Sequence, residues 1–410
     1  MAVKRAYERL IEYARVHTSS AEDAAQTPST ERQFDLARVL ERELAALGVN
    51  GVYVDEHCYV YGKLPATPGL EDKPCVGFLA HLDTIPDADF SGEHVNPRVI
   101  ENYDGGEIAL GESGRVLSPA DFPHLPSLKG KTLIVTDGTS VLGADDKAGI
   151  AEIMSAVERI LAEGAAHGPL AVGFCPDEEI GHGAALMDLK RLGAELAYTL
   201  DGGPFGEVEY ENFNAAEATV EFCGFNVHPG SAKDTMINAS LVAHQFNAML
   251  PAGETPRDTE GYEGFFHLTD MAGGVERASL SYIIRDHDAA AFVQRKKTME
   301  HIAKLLNARY GEGTVTLAFR EQYRNMLEKV SSRFEVVEKA LAAYRAMDVE
   351  PRVVPIRGGT DGAALSFRGL PCPNLSTGSY AHHGPYEHAA VEEMDRVVEL
   401  LINIAKEFTK

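Results

Sequence analysis

The chain has 410 residues, 44% hydrophobic and 24% charged, with 38 basic against 62 acidic side chains and a formal net charge of −24. This length exceeds what one hydrophobic core usually supports, so two domains are expected, and the ordinary composition excludes a disordered or fibrous chain. The negative balance opposes binding to nucleic acid or an anionic membrane face and favours inorganic cations as partners.

The N-terminal "MAVKRAYERLIEYARVH" mixes charge with apolar residues at helical spacing and lacks the continuous apolar stretch of a signal peptide. No apolar run approaches the roughly 20 residues of a transmembrane helix, so a soluble, cytoplasmic protein is expected. "SSAEDAAQTPST", residues 19–30, reads as a surface connection. "STERQFDLARVLERELAALG" has helical spacing, a Ser/Thr start and a terminal Gly48, and predicts a helix. A hairpin-like stretch follows near "VYVDEHCYVYGKL". "PCVGFLAH", "KTLIVTD", "PLAVGFCPD" and "LAYTLDGG" then read as short apolar strands, the kind buried on both faces of a mostly parallel sheet. Helices such as "DKAGIAEIMSAVERILAEG" lie between some of them, which predicts an α/β domain with flanking helices.

From about residue 209 the texture changes. "EATVEFCGFNVHPG", "ASLSYIIRDHD" and "TVTLAF" read as strands, and "INASLVAHQFNAML" and "AAAFVQRKKTMEHIAKLLNARYG" as helices. This is a compact α+β unit, 209–322, inserted into a main domain made of 1–208 and 323–410. "RVVPIRGG", "CPNLSTG" and the amphipathic "VEEMDRVVELLINIAKEF" resume the α/β pattern and are expected to rejoin the first sheet. The five cysteines, Cys58, Cys75, Cys175, Cys223 and Cys372, are odd in number without a C-x-x-C pair. That argues against a disulfide framework or a thiolate zinc site and fits a reducing compartment.

His81 and Asp83, Asp145 and Asp146, Glu178 and Glu179, and Asp201 all fall just beyond the carboxyl ends of predicted strands, where open α/β sheets place their ligand crevice. Taken singly, each has a bland explanation: an Asp after a strand is most often a helix cap or turn residue, and "DEE" a solvated acidic edge. Jointly, four strand ends in one sheet bearing His or carboxylate point to a site. Like charges converging on one crevice repel unless neutralised, and a metal centre neutralises them. Imidazole and carboxylate donors suit Zn²⁺, and also Mn²⁺ or Co²⁺. Two such ions bring four positive charges, which three carboxylates and a bridging hydroxide balance. Adjacent strand residues point to opposite faces, so one of Glu178 and Glu179 can bind metal while the other moves protons, the combination a metal hydrolase needs.

The ordered set "AHLDTIPD", "LGADDKAGIAEI", "PDEEIGHGA", "YTLDGG", "NVHPGSAKD", "YEGFFHL", "YIIRD", "PIRGGTDGA", "GLPCPNLSTG" and "HHGPYEH" resembles the co-catalytic zinc peptidases. That family includes carboxypeptidase G, aminoacylase and the acetylornithine and succinyl-diaminopimelate deacylases. "NPRVIENYDGGEIALGESG", residues 96–114, resembles its peptidase T group of tripeptide aminopeptidases in particular. The resemblance implies a zinc exopeptidase fold with an inserted sandwich lid, and two Zn²⁺ per subunit. It implies His81 and Asp201 on one metal, Glu179 and His383 on the other, and Asp145 bridging. Glu178 becomes the general base and Asp83 the carboxylate orienting His81. His383, which directly precedes the Gly, is preferred over His382. A cis Asp145–Asp146 peptide is also implied. His228, Arg285 and Arg357 are implied on the substrate side, the arginines gripping a peptide's terminal carboxylate and His228 donating to the oxyanion. Without the resemblance, Arg285 reads as a surface ion-pair partner and His228 as a turn residue before Pro229. Some relatives are dimers in which the lid histidine comes from the partner chain, so a homodimer is among the expectations. The expected activity is removal of the N-terminal residue from short peptides, tripeptides in particular. The rival reading is a deacylase of N-acyl amino acids with the same metal core.

Overall fold

The computed structural model describes residues 3–86 and 89–410, so Met1 and Ala2 of the first helical stretch and Asp87 of "AHLDTIPD" lie outside the described residues. The chain separates into two compact units. The first comprises the chain up to Tyr210 with Met326–Val354 and Thr360–Lys410; the second comprises Glu211–Asn325 with Pro355–Gly359.

In the first unit an eight-stranded mixed sheet runs in the order Asn50–Val54, Val60–Leu64, Leu170–Cys175, Val76–His81, Leu196–Gly202, Asn374–Ser376, Glu207–Glu209, Arg352–Val353. Its centre, Leu170–Cys175 to Asn374–Ser376, is parallel. Val60–Leu64 joins one flank antiparallel and Glu207–Glu209 the other. Val76–His81 and Leu170–Cys175 are wholly buried, as continuous apolar runs in a doubly covered sheet must be. In register, His81 stands opposite Cys175, so the carboxyl ends of these strands finish level. Asn374–Ser376 pairs parallel with Leu196–Gly202, so the late chain does return to the early sheet.

"KTLIVTD" departs from expectation. Leu133–Val135 lies not in the large sheet but in a small antiparallel one, between His388–Ala390 and Arg98–Ile100, with Ser379–Tyr380 beyond. An apolar run marks burial on both faces without saying which sheet buries it. Here the covering cluster is Tyr103, Leu110, Leu117, Leu125 and Leu128, contributed by residues 103–128.

Helix Ala144–Glu163 packs on the large sheet so closely that a Cβ at Gly149 would stand 2.2 Å from the Leu200 carbonyl oxygen, which only glycine tolerates. The helix expected from Ser29 begins instead at Gln33, because Ser29 is engaged elsewhere and does not cap it. The C-terminal helix Val391–Glu407 buries Met394, Val397, Leu401 and Ile404, a stripe at helical spacing.

In the second unit an antiparallel sheet runs Phe265–Gly273, Arg277–Asp286, Asn214–Cys223, Val315–Tyr323. Strict alternation in Arg277–Asp286 turns Leu280, Tyr282 and Ile284 inward, where they meet Phe246 and Val242 of helix Ala239–Ala248 and Met299 of helix Ala289–Tyr310. No helix among the described residues is long and apolar enough to cross a membrane.

Candidate metal centre

The predicted ligands meet in the first unit. His81 ends strand Val76–His81, Asp201 lies in Leu196–Gly202, and Glu179 follows the strand that ends at Cys175. Asp145 lies beyond Leu133–Val135, and His383 sits in the loop between Ser379–Tyr380 and His388–Ala390. His81 Nε2 is 3.0 Å from Asp145 Oδ1 and 3.8 Å from Asp201 Oδ1. His383 Nε2 is 3.0 Å from Asp145 Oδ2 and 3.1 Å from Glu179 Oε2. Each Asp145 oxygen thus faces one imidazole. The result is two groups of side chains that could each hold a metal ion, His81–Asp145–Asp201 and Asp145–Glu179–His383, each with its donor atoms within 4.8 Å of one another.

The electrostatics show what the cluster lacks. Burial alone would lower His81, but hydrogen bonds with Asp145 and Asp83 outweigh it and hold the imidazole well above its ordinary value. Burial would raise Asp145, and the bonds from His383 and His81 instead hold its carboxyl well below the usual range. Burial pushes Glu178 and Asp201 well above that range, with neighbouring carboxylates adding to the effect. Glu179 is also raised by burial, against the pull of His383. Hydrogen bonds to Asp145 and Glu179 push His383 up to about 10. Positive charge is in demand at both groups.

A divalent cation fits these residues. His81 Nδ1 lies 3.0 Å from the Asp83 carbonyl oxygen; donating there, a neutral ring directs the lone pair of Nε2 at two carboxylates. Glu179 Oε1 is buried without a hydrogen-bond partner among the described residues. Nitrogen and oxygen donors without thiolate suit Zn²⁺, Mn²⁺ or Co²⁺.

Supporting residues fix this geometry, and several escaped the sequence reading. The Asp83 carboxylate is 3.4 Å from His81 Nδ1, farther than its own carbonyl, because its oxygens accept from the main-chain N–H groups of Glu178 (2.9 Å) and Glu179 (3.2 Å). It therefore anchors the acidic turn as much as the imidazole. Asp146 accepts from the N–H groups of His81 (3.1 Å) and Gly149 (3.2 Å), tying strand to helix. Glu387 accepts from the N–H groups of Gly143 (2.7 Å) and Asp145 (2.9 Å) and holds the backbone that carries Asp145. Its only sequence signal was its place in "HHGPYEH". Asp145 itself, with φ −83° and ψ 102°, is off the helical path, and the Asp145–Asp146 peptide is cis, as the resemblance implies.

His382 stands beside the cluster: its Nε2 meets Ser379 Oγ at 2.7 Å, and its Nδ1 is 3.7 Å from Asp145 Oδ2, against 3.0 Å for His383. In the second unit, Arg285 Nη1 donates to the Arg357 carbonyl at 3.0 Å, and its guanidinium lies 5.6 Å from the Tyr323 ring centre. Arg357 differs from expectation. Its guanidinium donates to the carbonyls of Thr259, Gly261 and Glu263 and to Thr259 Oγ1, so in this arrangement it holds residues 259–263 rather than offering free donors. His228 lies on an exposed turn where its Nδ1 accepts from the Gly230 N–H at 3.1 Å. Among the described residues no hydrogen bond joins it to either arginine.

The sequence profile of "Peptidase family M20/M25/M40" matches residues 142–407, which hold Asp145, Glu178, Glu179, Asp201 and His383. The chain is 52% identical over 405 residues to a Peptidase T of Clostridium perfringens, covering 98% of this chain and 99% of that one. Among solved structures, the aminopeptidase PepT of Bacillus cereus superposes with a TM-score of 0.78 at 23% identity, covering 99% of this chain and 98% of that one. A dinuclear metal-binding peptidase of Bacillus subtilis gives 0.64 at 14% identity, covering 98% and 97%. The chain belongs to the M20/M25/M40 family of peptidases and is a hydrolytic exopeptidase.

Proposed function

We propose that the chain is an aminopeptidase that removes the N-terminal residue from short unblocked peptides, tripeptides in particular, with two zinc ions as its cofactor. The observation that carries this reading is the division of the Asp145 carboxylate between two ligand groups, with Glu178 next in sequence to one ligand and itself in neither group. The likeness to the Peptidase T of Clostridium perfringens over 98% of this chain supports the substrate class.

His81 and Asp201 would hold one ion and Glu179 and His383 the other, with Asp145 between them; Co²⁺ or Mn²⁺ suit the same donors. Such ions, when bound, polarise a peptide carbonyl and acidify water. Glu178 does the proton work. Its carboxylate, which lies in neither ligand group, takes the proton of the attacking water and returns it to the departing amine nitrogen. Asp83 keeps this turn in place through the N–H groups of Glu178 and Glu179. From the second unit, Arg285 is the candidate partner for the peptide's terminal carboxylate, with Arg357 supporting it through the 3.0 Å carbonyl contact. His228 is the candidate donor to the oxyanion. A cytoplasmic location belongs to the same proposal: all five cysteines are free thiols, as a reducing compartment allows.

The test is to incubate zinc-loaded protein with unblocked di-, tri- and tetrapeptides and with N-acetylated amino acids, with and without chelator. Release of the N-terminal residue from tripeptides, stopped by chelator and restored by Zn²⁺, is the expected result. Hydrolysis of N-acylated substrates alone would replace this reading with the deacylase one.

A further inference from the structure

Residues 19–30 read in sequence as a surface connection, yet Ser19, Ser20 and Ser29 are buried, with Thr18 beside them. The segment touches two turns of the metal centre. Near its start, Ser19 pairs with Thr84, and the N–H and Oγ of Ser20 donate to the Thr84 carbonyl at 3.1 and 3.2 Å. Near its end, the Ser29 N–H donates to Asp177 Oδ2 at 2.7 Å and Ser29 Oγ to Asp177 Oδ1 at 2.5 Å. Gln33 Nε2 adds a bond to that same oxygen at 2.7 Å, and the Asp177 N–H donates back to Gln33 Oε1 at 3.2 Å. The Ala21 N–H donates to Ser29 Oγ at 3.0 Å and closes the segment on itself.

Asp177 is fully buried and has φ 58°, in the left-handed region that disfavours a side chain with a Cβ. Among the described residues no Lys, Arg or His pairs with its carboxylate, so the neutral donors of Ser29 and Gln33 alone compensate its desolvation. The next two N–H groups, of Glu178 and Glu179, belong to Asp83. Three consecutive acidic residues are therefore held at three points: the first by its side chain, the other two by their backbone.

We infer that Ser29, Gln33 and Asp177 form a clasp of positioning residues that sets where the Glu178 carboxylate stands over the site. The inference rests on the reading of Glu178 as proton carrier. Loss of the clasp leaves every metal ligand present but frees the turn, and a displacement of about 1 Å at a reacting group lowers turnover about 100-fold.

The test uses the full chain loaded with zinc and carrying Ser29→Ala or Gln33→Ala singly. The expected result is a kcat lower by about 10- to 100-fold with KM within about twofold, because position rather than affinity is lost. Elemental analysis is expected to find the metal content of the unaltered protein, and Ser29→Thr, which keeps the hydroxyl, is expected to recover most of the rate. Glu178→Gln is measured in parallel. If both alanine variants turn over like the unaltered protein while Glu178→Gln is inactive, the clasp is wrong and the reading of Glu178 stands. A kcat loss that only tracks lost metal or lost folded protein also overturns the clasp. Normal turnover by Glu178→Gln removes the reading itself, and the clasp with it.

Discussion

Replacing Glu178 by Gln exchanges one ionisable oxygen for an amide and leaves the volume of the side chain unchanged. The main chain there is held independently, by Asp83 at 2.9 Å through the N–H and by the Gly181 N–H at 2.6 Å through the carbonyl. The side chain itself takes no hydrogen bond from the described residues, so the substitution deletes no protein contact. Burial disfavours its ionised form, so the neutral amide does not lower stability, and in metal-free protein at neutral pH the Tm is expected to match or exceed that of the unaltered chain. The whole effect then falls on proton transfer. General acid–base catalysis contributes about 10²- to 10⁴-fold, or about 2.7 to 5.4 kcal/mol of barrier. The assay is kcat for a tripeptide on zinc-loaded protein, with metal content and Tm measured on the same preparation. A variant that keeps its metal and more than about a tenth of the rate would refute the assignment of Glu178 as the proton carrier.

Other outcomes follow from the same geometry. His383→Ala is expected to lower metal content by about one ion per chain, whereas His382→Ala, whose ring lies farther from Asp145, keeps the full complement; elemental analysis after dialysis decides. Chelation is expected to abolish turnover and lower Tm, and adding Zn²⁺ at about 100 times its Kd restores about 2.7 kcal/mol per site. In metal-free protein His81 and His383 have raised folded-state pKa values, so their stabilisation is complete below 6.5 and is lost as pH climbs through the folded values, about 10 for His383. The raised carboxyls of Glu178 and Asp201 act in the same direction, since the folded state holds their protons longer. The metal-free Tm should therefore fall from pH 6.5 upward; a flat or rising curve contradicts the charge arrangement. Gly183→Ala would place a Cβ 2.2 Å from Asp361 Oδ2 and is expected to destabilise by about 1 to 3 kcal/mol, read as a lower Tm.

The strand ends of the large sheet and the ligands on them were readable because buried strands are continuous apolar runs and their charged ends stand out. His81, Asp145, Glu179 and Asp201, marked by residue type and place, stand together with His383, which only the family resemblance singled out. Less was readable where a residue's partner is remote in sequence. Ser29 and Asp177 are 148 positions apart and Glu387 and Gly143 are 244 apart, and no local pattern marks either pair. "KTLIVTD" reads as a buried strand but does not reveal which sheet it joins, since its partner His388–Ala390 carries no matching signal. Arg357 shows the converse limit: a guanidinium in a promising motif looks the same in sequence whether its donors are free or engaged by a neighbouring loop.

The candidate ligands are drawn from two separate sheets and the start of a helix. His81, Asp201 and Glu179 extend from the large mixed sheet, His383 lies on a loop of the small antiparallel one, and Asp145 stands at the start of helix Ala144–Glu163, beyond Leu133–Val135. Each ribbon is stiff along its own ladder of backbone bonds, but the gap between the two is set by side-chain packing, the softer constraint. Trimming Leu117 or Leu128 would let the small ribbon settle and shift His383 against the other four residues, because the start of helix Ala144–Glu163 is tied to the large sheet through the Asp146 bond from the His81 N–H and the seat of Gly149 on Leu200. The bite of the site is thus a property of how the first unit is stuffed, and it can be retuned without touching a single ligand.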